Sequence, residues 1–174
     1  TAMRKLLPQV RAWPGPVYYR FSRQEVPLLF DESYEPVIGR AVTVRPGRDV
    51  TLIGIGTLLS RCLWAAAELA RDGIDARVLE IHTLKPLDTE AILAAARETG
   101  ALVTAEEHSI IGGLGAAVAE TVTDAGVGVP VKRVGLADRF AGSGGYTEML
   151  AAYGMSVADI VQAARSSLEL KARA

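Results

Sequence analysis

Short apolar runs alternate with helix-patterned stretches from residue 40 onward, and this predicts an α/β domain: three layers, α/β/α, around a five-stranded mixed sheet that is mostly parallel with its first strand antiparallel. Three observations carry the expectation. The strand-like runs are short and nearly continuous in apolar residues, as strands covered on both faces are. The stretches between them place apolar residues at helical spacing and stop at glycines. Finally, Pro46-Gly47 separates the first two runs by a tight turn, which makes those two neighbours an antiparallel pair.

The elements follow in order. Ala41–Arg45 and Asp49–Ile55 are the first two strands. Thr57 or Ser60 can cap the next helix, which runs through Leu63, Ala67 and Ala70 to Asp72-Gly73. Asp75–Ile81 is the third strand. After the loop from Thr83 to Asp88, either Asp88 or Thr89 caps a helix from Glu90 to Thr99, which Gly100 ends. Ala101–Ala105 is the fourth strand. It stops at a polar turn, Glu106-Glu107-His108, and the glycines Gly112, Gly113 and Gly115 lead into a helix ending near Gly126. Val131–Leu136 is the fifth strand, Asp138 to Tyr146 a glycine-rich loop, and Thr147–Tyr153 a short helix. The last helix, Val157–Leu168, starts at a capping-box-like Ser156 and Asp159.

The segment before residue 40 is different. Residues 1–12 look like a helix end interrupted by Pro8, and the β-formers of Val17–Phe21 read as a strand. One helix end and one strand cannot bury an apolar face alone. Residues 1–24 therefore read as the tail of another domain, expected to be mobile or to pair with another copy's sheet edge. Residues 25–39, with Pro27 and Pro36 and no periodicity, are a linker to the domain at 40–174.

Composition narrows the function classes. The chain is 49% hydrophobic and 22% charged, enough for one ordinary core. Nineteen basic residues against twenty acidic give a net charge of -1, which points to neither nucleic acid nor an anionic membrane as partner. No apolar run approaches the ~20 residues of a membrane span. A cytoplasmic location is the default expectation. Cys62 is single, and among Leu63, Trp64 and Ala65 it reads as a buried, inert thiol.

Several residues invite a chemical reading beside a structural one. Gly54-Ile55-Gly56 follows a strand and opens a helix, with Glu80 near the end of the next strand, as in a dinucleotide site; Leu59 stands where the third glycine belongs. Lys85 lies on a loop at a strand's carboxyl side, where it meets an anion or only solvent. A Cys62–His108 catalyst has no supporting pattern, and Glu106, Glu107, His108 and His82 show no repeating ligand spacing for a metal. For Glu106 a polar contact across an interface competes with general acid–base work. Arg23 stands after a strand-like run, and its planar guanidinium can hold a phosphate bidentately.

Five segments, in order, resemble one family: GPVYYRFSRQEVP (15–27), Val50–Gly56, HTLKPLD (82–88), VTAEEHSIIGGLGAAVAE (103–120) and the DRFAGSG…YG…I pattern (138–160). Together they look like the C-terminal part of transketolase-type thiamine diphosphate enzymes, most of all the separate C-terminal subunit of split transketolases. 1-Deoxyxylulose-5-phosphate synthases and the β subunits of 2-oxo acid dehydrogenases are similar to a lesser degree. The resemblance implies a third domain with a five-stranded mixed sheet at 40–174, and the tail of the pyrimidine-binding domain at 1–24. It implies an enzyme that transfers a two-carbon ketol unit between sugar phosphates, inactive without its N-terminal portion or subunit, as a homodimer or heterotetramer.

Thiamine diphosphate and Mg²⁺ would be cofactors of the intact enzyme, held by neither residue nor motif of this chain, which has no GDG…N motif. Arg23 falls on the family's sugar-phosphate-binding arginine. No catalytic group is implied here, and Glu106, Glu107, His108, Gly112 and Gly113 become an interface or the border of a site. The competing expectation is a non-catalytic α/β module for dimerisation or partner binding.

Overall fold

The computed structural model describes residues 2–173; Thr1, part of the expected N-terminal helix end, and Ala174 lie outside them. The elements are α1 (Ala2–Ala12), β1 (Val42–Arg45), β2 (Val50–Gly54), α2 (Leu58–Arg71), β3 (Ala76–Glu80), α3 (Thr89–Thr99), β4 (Leu102–Ser109), α4 (Leu114–Asp124), β5 (Val131–Leu136), α5 (Tyr146–Ala152) and α6 (Val157–Lys171). The sheet runs β1-β3-β2-β4-β5, with β1 antiparallel to β3 and all other pairs parallel.

Alternation along the strands builds the two covering layers. Val50 and Leu52 of β2 face α2 and α6, packing with Leu58, Leu69, Val103 and Ile160. Ile53 points the other way, toward α3 and α4, among Leu79, Ile92, Leu114 and Val118. All five residues of β2 are buried, so it takes the centre of the sheet. Each large side chain withdrawn there contributes about 1.5–3 kcal/mol.

The antiparallel first strand is present, but its partner differs from the hairpin expected at Pro46-Gly47. β1 pairs with β3, Val42 opposite Glu80, and β3 lies between β1 and β2. The turn packs on the start of β3: the Arg48 and Asp49 amides both donate to the Asp75 carbonyl at 3.0 Å. A Cβ at Gly47 would stand 2.3 Å from the Ala76 backbone. β1 keeps an exposed position and suits an edge, whereas β2 needs a strand on either side.

Two further expectations change. β4 continues through Glu106, Glu107 and His108 to Ser109, so the polar stretch is strand rather than turn. The last strand pair holds it there, Ser109 opposite Leu136, after an irregularity in register beyond Ala105. Val17–Phe21 forms no strand, since the five strands pair only with one another; Tyr18 and Phe21 stay 89% and 71% exposed. α1 continues through Pro8 to Ala12 and is hydrogen-bonded to the linker.

Helix ends follow local chemistry. Asp88 Oδ1 accepts the Ala91 amide at the start of α3, and Gly100 ends that helix at φ 63°, in the left-handed region. Ser156 and Asp159 form the full reciprocal capping box of α6. Among the described residues no helix is long and apolar enough to cross a membrane.

Candidate functional site

The carboxyl ends of β2–β5 meet the starts of α2 and α4, where ligands of open α/β sheets sit. Glu106 is 2% exposed and turns to the α4 face. Its Oε2 accepts the Leu114 amide at 2.7 Å and its Oε1 the Gly115 amide at 2.8 Å. The side chain thus supplies the cap that Gly113, with none of its own, cannot give α4. A Cβ at Gly113 would lie 2.1 Å from Glu106 Oε2, so the residue type there is set by the carboxylate.

Glu107 turns to the other face, toward α2. Its Oε2 accepts from the Thr57 hydroxyl and from Tyr146 Oη, both at 2.7 Å. Thr57 occupies the N-cap position of α2 but makes no side-chain bond to the helix, since its own backbone is already helical at φ -65° and ψ -26°; its hydroxyl serves Glu107 instead. Burial and the neighbouring carboxylate hold the Tyr146 phenol above its ordinary pKa, so it stays a donor at neutral pH. The Arg61 guanidinium lies over its ring, 5.6 Å from the centroid.

These bonds remove the dinucleotide reading of Gly54–Leu59. A pyrophosphate there would meet Glu107 against the start of α2, and the Glu80 meant for a ribose is only 5% exposed. Glu80 Oε2 accepts from buried Tyr34 Oη at 2.6 Å. Burial raises the Glu80 pKa, opposed in smaller part by that bond.

His108 is exposed on the rim, its Nδ1 2.9 Å from the Ser109 carbonyl and 3.9 Å from Glu106 Oε2. With Glu107 it faces a cleft of about 400 Å³ whose other walls include Tyr146, Met149, Tyr153 and the glycine loop at 142–144. The arrangement offers hydrogen-bond acceptors and apolar surface. It contains no nucleophile paired with a base.

The remaining candidates lie apart. Cys62 is fully buried, its thiol pushed up to about 12 by burial, and takes no part in chemistry. Lys85 is exposed, on the loop whose shape Asp88 fixes through Ala91 and Ala41. His82 Nδ1 is 2.8 Å from the Thr83 hydroxyl; burial lowers its pKa, against a smaller opposing effect of the Arg40 backbone. No three His, Cys, Asp or Glu side chains converge as a metal site among the described residues. Arg23 is exposed, in a turn where the Gln24 amide donates to Ser22 Oγ at 3.0 Å. It makes no hydrogen bond or ion pair with the described residues. Thr57, Tyr34 and Tyr146 had no signal as partners of the glutamates; only a lone tyrosine inside the polar linker hinted at an anchor.

Residues 39–160 match the family described as transketolase, C-terminal domain. The chain belongs to that family. Among curated relatives, the 6-deoxy-6-sulfo-D-fructose transketolase subunit SqwH of Clostridium sp. (strain MSTE9) is 44% identical over 170 residues, covering 97% of this chain and 52% of the relative. One subunit of the apulose-4-phosphate transketolase of Phocaeicola vulgatus is 40% identical over 162 residues, 92% of this chain and 51% of the relative. A solved structure titled a split gene transketolase, inactive beta4 tetramer, superposes with a TM-score of 0.92 at 40% identity, covering 97% of this transketolase C-terminal domain chain and 55% of that one. The chain spans about half the length of these two curated relatives.

Proposed function

We propose that this chain is the C-terminal portion or subunit of a transketolase-like transferase, which moves a two-carbon ketol unit between sugar phosphates once joined to an N-terminal portion or subunit. The observation that carries the reading is the likeness to two transketolase subunits along 97% and 92% of the chain. One relative is named for a sulfonated sugar and the other for a sugar phosphate, so the names leave the donor at the level of a ketose with an anionic group, and the phosphate rests on the family resemblance. We divide the chain as pyrimidine-domain tail at 1–24, linker at 25–39 and C-terminal domain at 40–174, and place it in the cytoplasm.

Thiamine diphosphate with Mg²⁺ supplies the family's carbanion chemistry when bound. The described residues do not fit that group. No cluster of metal ligands is present among them, and Glu106 and Glu107 already stand at the starts of α4 and α2, where they repel an anion. The cofactor's site therefore belongs to the partner portion. Arg23, exposed and unengaged, is the residue of this chain that meets the substrate's phosphate. Glu106, Gly112 and Gly113 serve packing, and Glu107 with His108 borders the assembled site or an interface.

Mixing the chain with an N-terminal portion should restore thiamine-dependent ketol transfer, and Arg23→Ala should raise KM for phosphorylated donors about tenfold or more. Failure of every such mixture would sink the reading. A second reading, self-association as a module without activity, has support from the relative titled an inactive beta4 tetramer. A stable homo-oligomer with no gain on mixing favours it.

A further inference from the structure

α1 is held by side-chain hydrogen bonds to one short stretch, by the bond from Tyr19 to the Met3 carbonyl and by the burial of Leu6. Among the described residues, the hydrogen bonds made by its side chains all reach residues 32–38. Arg4–Glu32 and Lys5–Glu35 are ion pairs with solvent-exposed glutamates, and such pairs hold geometry weakly, although the Lys5 ammonium also donates to the Glu32 carbonyl. Gln9 is different. It is half-buried, and its side-chain amide bonds the linker backbone at both ends: Nε2 donates to the Pro36 carbonyl at 2.6 Å and Oε1 accepts the Ile38 amide at 3.0 Å. Two bonds to rigid backbone on either side of Val37 fix both position and rotation, as a ladder pair in a sheet does.

The linker is in turn fixed to the domain. Tyr34 is buried with its hydroxyl on Glu80, and Phe30 stacks on it with ring centroids 3.9 Å apart. Pro36 is buried, and the Ala41 amide donates to Asp88 Oδ2 at 2.8 Å. On the other side, Tyr19 Oη donates to the Met3 carbonyl at 2.6 Å, which ties the segment leading to Arg23 back onto α1. Tyr19 and Phe21 make an edge contact just before the turn that presents the arginine.

We propose that Gln9 is a positioning residue: its two-ended amide bond makes α1 and the turn carrying Arg23 one body with the α/β domain, and so sets where Arg23 meets the phosphate of a sugar phosphate. The positioning role rests on the reading of Arg23 given above. The joining of α1 to the domain does not.

The test uses the native protein assembled with the rest of its enzyme, and reads amide hydrogen exchange beside steady-state kinetics. Gln9→Ala should speed exchange of α1 and of the Ile38 amide about tenfold, the loss of roughly one part-buried hydrogen bond or more, and leave Ile53 and Val103 protected. It should raise KM for D-xylulose 5-phosphate severalfold with kcat little changed, and leave KM for unphosphorylated D-xylulose unaltered. Gln9→Glu, which keeps the acceptor for Ile38 but sets a carboxylate oxygen against the Pro36 carbonyl, should speed exchange at least as much as Gln9→Ala. Arg23→Ala should raise the same KM without altering exchange.

Unchanged exchange in Gln9→Ala overturns the clamp. Faster exchange with an unmoved KM, while Arg23→Ala raises it, overturns the positioning role alone. If neither variant moves the KM, the Arg23 reading has failed and takes the positioning role with it, while faster exchange would still uphold the clamp.

Discussion

Glu106 and Glu107 are consecutive in β4 and serve opposite faces of the sheet. Glu106 takes two backbone amides at the start of α4, and Glu107 takes the hydroxyl of the residue before α2. The pleat sends neighbouring side chains to opposite sides, so a pair of acids at a strand's end can reach two helices at once.

Removing the first carboxylate should be costly. Glu106→Ala leaves two buried amides without partners and is expected to destabilise the domain by roughly 3 kcal/mol, with Glu106→Gln losing about half as much. Urea unfolding measures both. A loss within experimental scatter would mean that α4 does not depend on this cap.

Gly113→Ala should cost about as much, because its Cβ would fall 2.1 Å from Glu106 Oε2. Placed in the Glu106→Ala background, the same substitution should cost less than ~1 kcal/mol, since the clash is gone. Additive losses in the double-mutant cycle would contradict the contact.

Glu80 gives a pH dependence of definite sign. Burial raises its folded pKa, so the native state holds its proton over a range where the unfolded chain has lost it. The contribution of this group to stability is full below the ordinary carboxylate value of about 4.3 and falls as pH rises through the folded value. Glu80→Gln should therefore gain Tm relative to wild type as pH increases across that window. A difference in Tm that is constant from acid to neutral pH would rule this out.

Cys62 should resist thiol reagents in the folded protein and react fully in denaturant, because it is completely buried and its thiolate is suppressed. Rapid labelling under native conditions would show a local opening of α2.

Legibility in the sequence followed the range of the interactions. Asp88, Gly100 and the Ser156–Asp159 box announce themselves because caps are settled within a few residues. The five strands are visible as apolar runs because burial on two faces leaves a local mark. The partner of β1 is not, since a proline-glycine turn suits a hairpin, whereas here the turn packs Gly47 on Ala76 and β3 lies between β1 and β2. Likewise the acids after Ala105 look like a turn until their helical partners are in place. The tyrosines that answer Glu80 and Glu107 lie 46 and 39 residues away, beyond any local pattern. Val17–Phe21 has the composition of a strand and no edge beside it, so β propensity alone misleads there.

The place of β1 outside β3 has a consequence for the order of assembly. Tyr34 and β1 leave the ribosome well before Glu80 and β3, yet they have nothing to dock on until those later residues have joined the sheet. The chain upstream thus waits for its orientation on the chain downstream. The contacts that orient the residues before β1 therefore cannot form until β3 has been made.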